Sequence, residues 1–165
     1  MQNNLLDGSL LDQSCHLLID EIVEEGVESV PGVLALLESI PKDVPIAIAS
    51  GATRQDIKLI LQAINLTARI PVIITADDVA QSKPNPQTYQ IALECLQTLY
   101  PAAVLLAENC LAIEDTPAGI QAAQGAGLPT LGITTTTTSN NLHQAGRVVD
   151  TFEGVTFETL SKWFG

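Results

Sequence analysis

A chain of 165 residues has the length of one ordinary domain and can bury a substantial core without disulfides or metals. Seven basic residues against nineteen acidic give a formal charge of −12, which argues against a broad nucleic-acid or anionic-membrane surface but leaves room for a small phosphorylated ligand held by one or two cations. A content of 46% hydrophobic and 16% charged residues excludes intrinsic disorder, 4% aromatics makes the core aliphatic, and no apolar run reaches the roughly 18 residues of a bilayer span.

The amino end, Met-Gln-Asn-Asn, has no basic stretch of a signal or transit peptide. The first expected helix starts near Asp12, with Leu18, Ile22 and Val23 on one face and Gly26 at its end. Pro31 suits the first turn of a second helix that turns Val33, Leu36, Leu37 and Ile40 inward. The run VPIAIAS, Val44 to Ser50, is short and almost wholly apolar, as a strand covered on both faces should be. A helix with Ile57, Ile60, Leu61 and Ile64 on one side follows, then a strand from Pro71 to Thr75. Pro84 and Pro86 punctuate a loop before a helix carrying Tyr89, Leu93, Leu96 and Tyr100. Cys110 to Ile113 reads as a strand ending in Glu114-Asp115. Thr116 caps the next helix, Pro117 fits its first turn, and Gly125 and Gly127 lie at its end. Leu128 to Thr134 contains a strand, Arg147 to Asp150 a short one, and Phe157 to Trp163 a helix.

Strands alternating with helices mean crossovers and a parallel sheet, whose ligands bind at the carboxyl ends of the strands. The polar residues there are Ser50-Gly51, Thr75 to Asp78, Glu114 to Thr116 and the threonine run Thr134 to Thr138. Ser50-Gly51 offers a hydroxyl and open backbone N–H groups, either an anion cradle or an ordinary strand-to-helix turn. Lys83 precedes the stiff Pro84-Asn85-Pro86 and is either a phosphate contact or a solvated loop lysine. Glu114 and Asp115 repel each other unless a cation shares them, and magnesium takes a few hard oxygens; plain N-capping is the alternative. Cys15, Cys95 and Cys110 lack metal-type or paired spacing and read as buried free thiols of a reducing, cytoplasmic compartment. His16 and His143 have no acidic or thiol cluster near them in sequence and read as surface or boundary residues.

Taken together, an apolar strand ending Ser-Gly, the segment SKPNPQTYQIALECL and the segment IEDTPAGIQAAQGAGLPTLGIT resemble the haloacid dehalogenase-like hydrolase superfamily, in its phosphoglycolate phosphatase and β-phosphoglucomutase-like branch. The resemblance runs from about Pro31 to the carboxyl end. It implies a Rossmann-like α/β fold, a parallel sheet with helices on both faces. It implies a magnesium-dependent phosphatase or phosphomutase that acts on a small phosphorylated metabolite through an aspartyl phosphate. By resemblance, Ser50 binds the transferring phosphoryl group, Gly51 offers an N–H beside it, Lys83 neutralises nucleophile and phosphate, Arg54 touches substrate, and Glu114 and Asp115 position the metal.

The family's first motif, an apolar strand followed by Asp-x-Asp-Gly-Thr, has no full counterpart, because this chain contains no Asp-x-Asp. One alignment sets Asp7-Gly8-Ser9 against the acid/base aspartate and its neighbours, with Leu5 in the nucleophile's place. The other makes Asp12 to Val30 the last helix and return linker of the family's cap. Residues 1–30 are thus either a cap remnant or a degenerate first motif, and 31–165 the core domain, with the central first strand and the cap missing or truncated. The resulting expectations are a gap in the sheet, instability unless Leu5-Leu6 or a partner chain fills it or the sheet closes up, and a weak or incomplete magnesium site. The chain alone is expected to be inactive. Its alternative is a non-catalytic truncated or degenerate member that binds phosphate or acts within a split protein.

Overall fold

A computed structural model describes residues 29–165. The expected helix from Asp12, the Asp7 motif, Cys15 and His16 lie outside the described residues. The elements run α1 (Val33–Ser39), β1 (Ala47–Ala49), α2 (Arg54–Ala63), β2 (Val72–Ile74), α3 (Gln87–Leu99), β3 (Ala112–Glu114), α4 (Pro117–Gly125), β4 (Thr130–Ile133), β5 (Arg147–Val149) and α5 (Phe157–Phe164). Every strand pairing among the described residues is parallel. The element order agrees with the sequence pattern, but the strands are shorter. Of Val44 to Ser50, only Ala47–Ala49 pairs as strand.

The helix starts follow from local chemistry. Thr53, Thr116 and Thr156 cap α2, α4 and α5, their hydroxyls accepting from the N–H groups of Asp56, Gly119 and Thr159. At α3 the Asn85 carboxamide oxygen accepts from Gln87 N at 3.0 Å, while Pro86, which has no N–H to satisfy, opens the helix.

Helices cover both faces, as strands apolar on both sides require. On one face α3 packs on Ala47, Ala49, Val72 and Ile74, and Ala122 and Ala123 of α4 pack beside Tyr89 and Ala112. On the other, Ile57 and Leu61 of α2 meet Ile48 and Ile73, while Leu36, Phe152 and Leu160 meet Leu131 and Ile133. The period-two alternation of the strands decides which side chain goes where. Ile60, expected inward, is 36% exposed on the outer side of α2. Cys95 and Cys110 are free but half-buried rather than buried, and burial pushes the Cys110 thiol up from its ordinary value.

The described strands form two sheets, β1-β2 and β3-β4-β5. Ser50 N–H reaches the Ile74 carbonyl, and Ala112 N–H the Pro129 carbonyl, each at 2.9 Å. Backbone groups of alternate residues in a parallel strand face opposite neighbours. Ala47 and Ala49 therefore turn their backbone groups away from β2, and Ile113 turns its own away from β4. Among the described residues these two edges pair with no other strand and leave a gap, and Ile113 is 41% exposed. Gly32 ties the amino end of α1 down. At φ +83° it lies so near the Phe152–Glu153 backbone that a Cβ would stand 2.3 Å from the Phe152 carbonyl carbon.

Candidate functional site

Ser50, Gly51, Lys83, Glu114, Asp115, Thr116 and Thr135 line one cleft of about 480 Å³, floored by Val30, Ala49, Ile113 and Ile133. The loops after β1, β3 and β4 and the segment before α3 thus deliver their polar residues to a single rim. Asp7 lies outside the described residues.

Lys83 is the cation of this cleft. Its Nζ donates to the Ala49 carbonyl at 2.9 Å and to Glu114 Oε1. An ammonium carries three N–H donors, and two are used among the described residues. The side chain is 18% exposed, and its Nζ lies 4.9 Å from the centre of the Tyr89 ring. Glu114 is 6% exposed. Its Oε1 also accepts from the Tyr89 hydroxyl, and Thr116 Oγ1 approaches Oε2 at 3.4 Å. A carboxylate buried this deeply needs such partners, because desolvation otherwise makes its charge costly. Burial foremost, and then the Glu114 charge, push the Tyr89 phenol well above its ordinary value, so it stays a neutral donor. Gly119 in the first turn of α4 makes room for this carboxylate, since a Cβ there would stand 1.9 Å from Glu114 Oε2.

Asp115 is half-buried and turned differently. Thr135 Oγ1 donates to its Oδ2 at 3.2 Å and Thr136 Oγ1 to its backbone carbonyl at 2.7 Å. Its Oδ1 has no hydrogen-bond partner among the described residues. One hard carboxylate oxygen at an open rim suits a cation such as magnesium, which takes one or two carboxylates and keeps several waters. No group of three His, Cys, Asp or Glu side chains gathers among the described residues, so a caged transition metal is not what these donors fit.

At the first strand end, Ser50 Oγ accepts from Ala52 N at 3.1 Å, and a Cβ on Gly51 would meet nothing within 4 Å. An anion can therefore approach that backbone closely. Arg54, expected to touch substrate, pairs with Asp78, its Nη2 2.5 Å from Oδ2, and keeps its side chain exposed. The same Asp78 oxygen accepts from Thr75 N and Oγ1 at 2.7 and 2.8 Å. The Arg54 hydrogen bond foremost, then those of Thr75, hold the Asp78 carboxyl down at about 2. This cluster joins the loops after β1 and β2. His143 is exposed, its Nδ1 2.7 Å from the Asn140 carbonyl oxygen.

Sequence reasoning placed Tyr89 on an inward helix face without a role, and singled out the threonine run without saying what it holds. Both work through tertiary contacts, which spacing along the chain does not report.

The family model described as haloacid dehalogenase-like hydrolase matches residues 6–133. Validoxylamine A 7'-phosphate phosphatase of Streptomyces hygroscopicus subsp. limoneus is 32% identical over 118 residues, 71% of this chain and 52% of that protein. Protein CbbY, plasmid, of Cupriavidus necator is 36% identical over 128 residues, 75% of this chain and 44% of the relative. Among solved structures, a β-phosphoglucomutase from Clostridium difficile superposes with a TM-score of 0.73 at 26% identity, covering 89% of this chain and 60% of that one. The chain thus spans about half the length of the curated relatives it matches.

Proposed function

This chain belongs to the haloacid dehalogenase-like hydrolases, in the branch of the phosphoglycolate phosphatases and β-phosphoglucomutases, and from that premise we propose that it carries the phosphoryl-binding part of a site for phosphoryl transfer from a small phosphorylated metabolite. The observation that carries this reading is the position of Lys83. Its ammonium is fixed by Ala49 and Glu114 in the lining of the cleft, with one N–H left among the described residues for a phosphoryl oxygen. Ser50 and the open backbone at Gly51 supply further donors.

In the aspartyl-phosphate route, a carboxylate oxygen bonds to phosphorus as the ester oxygen leaves, and water later releases inorganic phosphate. Lys83 lowers the charge repulsion in the first step, and Glu114 with Tyr89 keeps that lysine aimed. Asp115 would hold a magnesium ion through Oδ1, with Glu114 behind it; when bound, the ion neutralises charge on the phosphoryl oxygens. With one carboxylate oxygen free among the described residues, magnesium binding by the chain alone is weak. By their names, the relatives are a validoxylamine A 7'-phosphate phosphatase, a hexitol phosphatase and a β-phosphoglucomutase, which favours a phosphorylated polyol or sugar here. Free thiols at Cys95 and Cys110 fit a reducing compartment such as the cytoplasm.

Leucine at position 5 forms no acyl phosphate, and among the described residues the edges of β1 and β3 are unpaired, which fits a strand supplied by another part of the protein or by a partner chain, the split-protein alternative. Hydrolysis of an aryl phosphate by the 165-residue chain with magnesium separates the two. We expect no turnover, together with inorganic phosphate binding that Lys83→Ala abolishes. Turnover that Lys83→Ala abolishes would instead show that the chain is a complete enzyme. Absence of phosphate binding would overturn the phosphoryl reading.

A further inference from the structure

Lys83 stands in a stretch that its own backbone barely holds. From Val79 to Asn85 the one backbone–backbone hydrogen bond among the described residues runs from Asn85 N–H to the Ser82 carbonyl, at 3.1 Å. Pro84 and Pro86 restrict the chain after the lysine. Before it, the holding is done by a side chain. Gln87, the first residue of α3, reaches back, and its Oε1 accepts from the N–H groups of both Ala80 and Gln81, at 2.9 and 3.0 Å. Asn85 ties the same stretch a second time. Its Nδ2 donates to Gln81 Oε1 at 2.5 Å, while its Oδ1 accepts from Gln87 N at 3.0 Å.

This clamp has a consequence for the cleft. A lysine ammonium rides on a long flexible stem, so it keeps one place only if the Cα beneath it is fixed. Helix α3 is a firm support, because its Ala92 and Leu96 pack against Val72 and Ile74. The same helix carries Tyr89, whose ring centre lies 4.9 Å from Lys83 Nζ. One helix end thus holds the lysine twice, through the preceding backbone at Gln87 and beside the ammonium at Tyr89. We propose that Gln87 is a positioning residue for phosphoryl binding: by bonding the Ala80 and Gln81 amides it fixes the Lys83 loop on α3 and so aims the ammonium into the cleft. The inference rests on the reading of Lys83 as the phosphoryl contact.

The test uses the full chain, with inorganic phosphate as ligand and trace acetic anhydride to label each lysine for mass spectrometry. Ala80 and Gln81 are exposed, so water takes the N–H groups that Gln87→Ala releases, and the fold is expected to persist. Gln87→Ala is expected to weaken phosphate binding about fivefold, the weight of one modest hydrogen bond. It is also expected to speed acetylation of Lys83 relative to Lys162, which is 72% exposed on α5. Gln87→Glu keeps an acceptor oxygen at the same reach and is expected to return the labelling ratio to the parent value. Asn85→Ala cuts the second tie and should move both readouts in the same direction as Gln87→Ala. A role confined to helix stability would lower the melting temperature and move neither readout, and that result would overturn the proposal. If Gln87→Ala changes the labelling ratio but not phosphate affinity, the phosphoryl reading stands and only the proposal fails. If the parent chain binds no phosphate, the phosphoryl reading falls and the proposal with it.

Discussion

Lys83 and Glu114 show how one ion pair organises this cleft. Both are largely buried, so removing either partner leaves the other desolvated and uncompensated. Lys83→Met is expected to destabilise the chain by about 3 kcal/mol in urea unfolding at neutral pH. Lys83→Met combined with Glu114→Gln should cost less than the sum of the single changes, because the second substitution removes the stranded charge. The Arg54–Asp78 pair makes a different prediction. The Asp78 carboxyl falls from an ordinary 3.8 to about 2, so its contribution to stability is complete above about 3.8 and is lost as the pH falls toward 2. Carboxyl resonances followed in an acid titration should show Asp78 titrating near the bottom of the range. In Arg54→Ala, which removes the largest cause, its pKa should rise toward the ordinary value. An unmoved resonance would mean that the pair does not form in solution.

Helix α4 does more for the site than cap a strand. Its first turn begins with Thr116, whose hydroxyl accepts from Gly119 N at 3.0 Å, and the bare Cα of Gly119 then faces the Glu114 carboxylate. Gly119→Ala should therefore displace that carboxylate and its lysine, at a cost of about 2 kcal/mol by the usual scale of overpacking. Gly51→Ala, at the end of β1, meets nothing within 4 Å and should leave the melting temperature nearly unchanged while impeding anion binding. Thermal melts of the two variants with phosphate titrations separate these outcomes. The need for glycine at 119 was hidden in sequence, where Gly-Ile after Thr-Pro-Ala reads as ordinary helix. Only the packing of α4 against β3 places the carboxylate over it. The threonine caps, by contrast, were legible from residue type alone, because a cap bonds within its own turn.

Across the molecule, each of the two described sheets is covered by helices, and no ladder joins β1 to β3 among the described residues. Unpaired edges of this kind are templates for further strand pairing. Amide exchange should therefore be faster at Ala49 and Ile113, which face the gap, than at Ile48 and Leu131, which face their paired neighbours. A partner strand that fills the gap should slow the first pair selectively. Equal protection of all four in the chain alone would show that the gap is closed.

The sequence by itself determined the order of elements, the parallel pairing and the strand ends that carry polar residues. Those follow from periodicity, caps and the covering of apolar strands on both faces, all local or nearly local properties. Tertiary structure decided which polar residues meet and what each is left free to do. Glu114 and Asp115 are neighbours in the chain, yet β3 turns one into a buried bond with Lys83 and Tyr89 and leaves the other at the rim under Thr135 and Thr136. The loop after β2 brings Asp78 to Arg54, a pairing that their separation in the sequence does not announce. In each case the deciding partner comes from a distant part of the chain, and its arrival depends on how strands, helices and loops pack, which spacing along the sequence does not report.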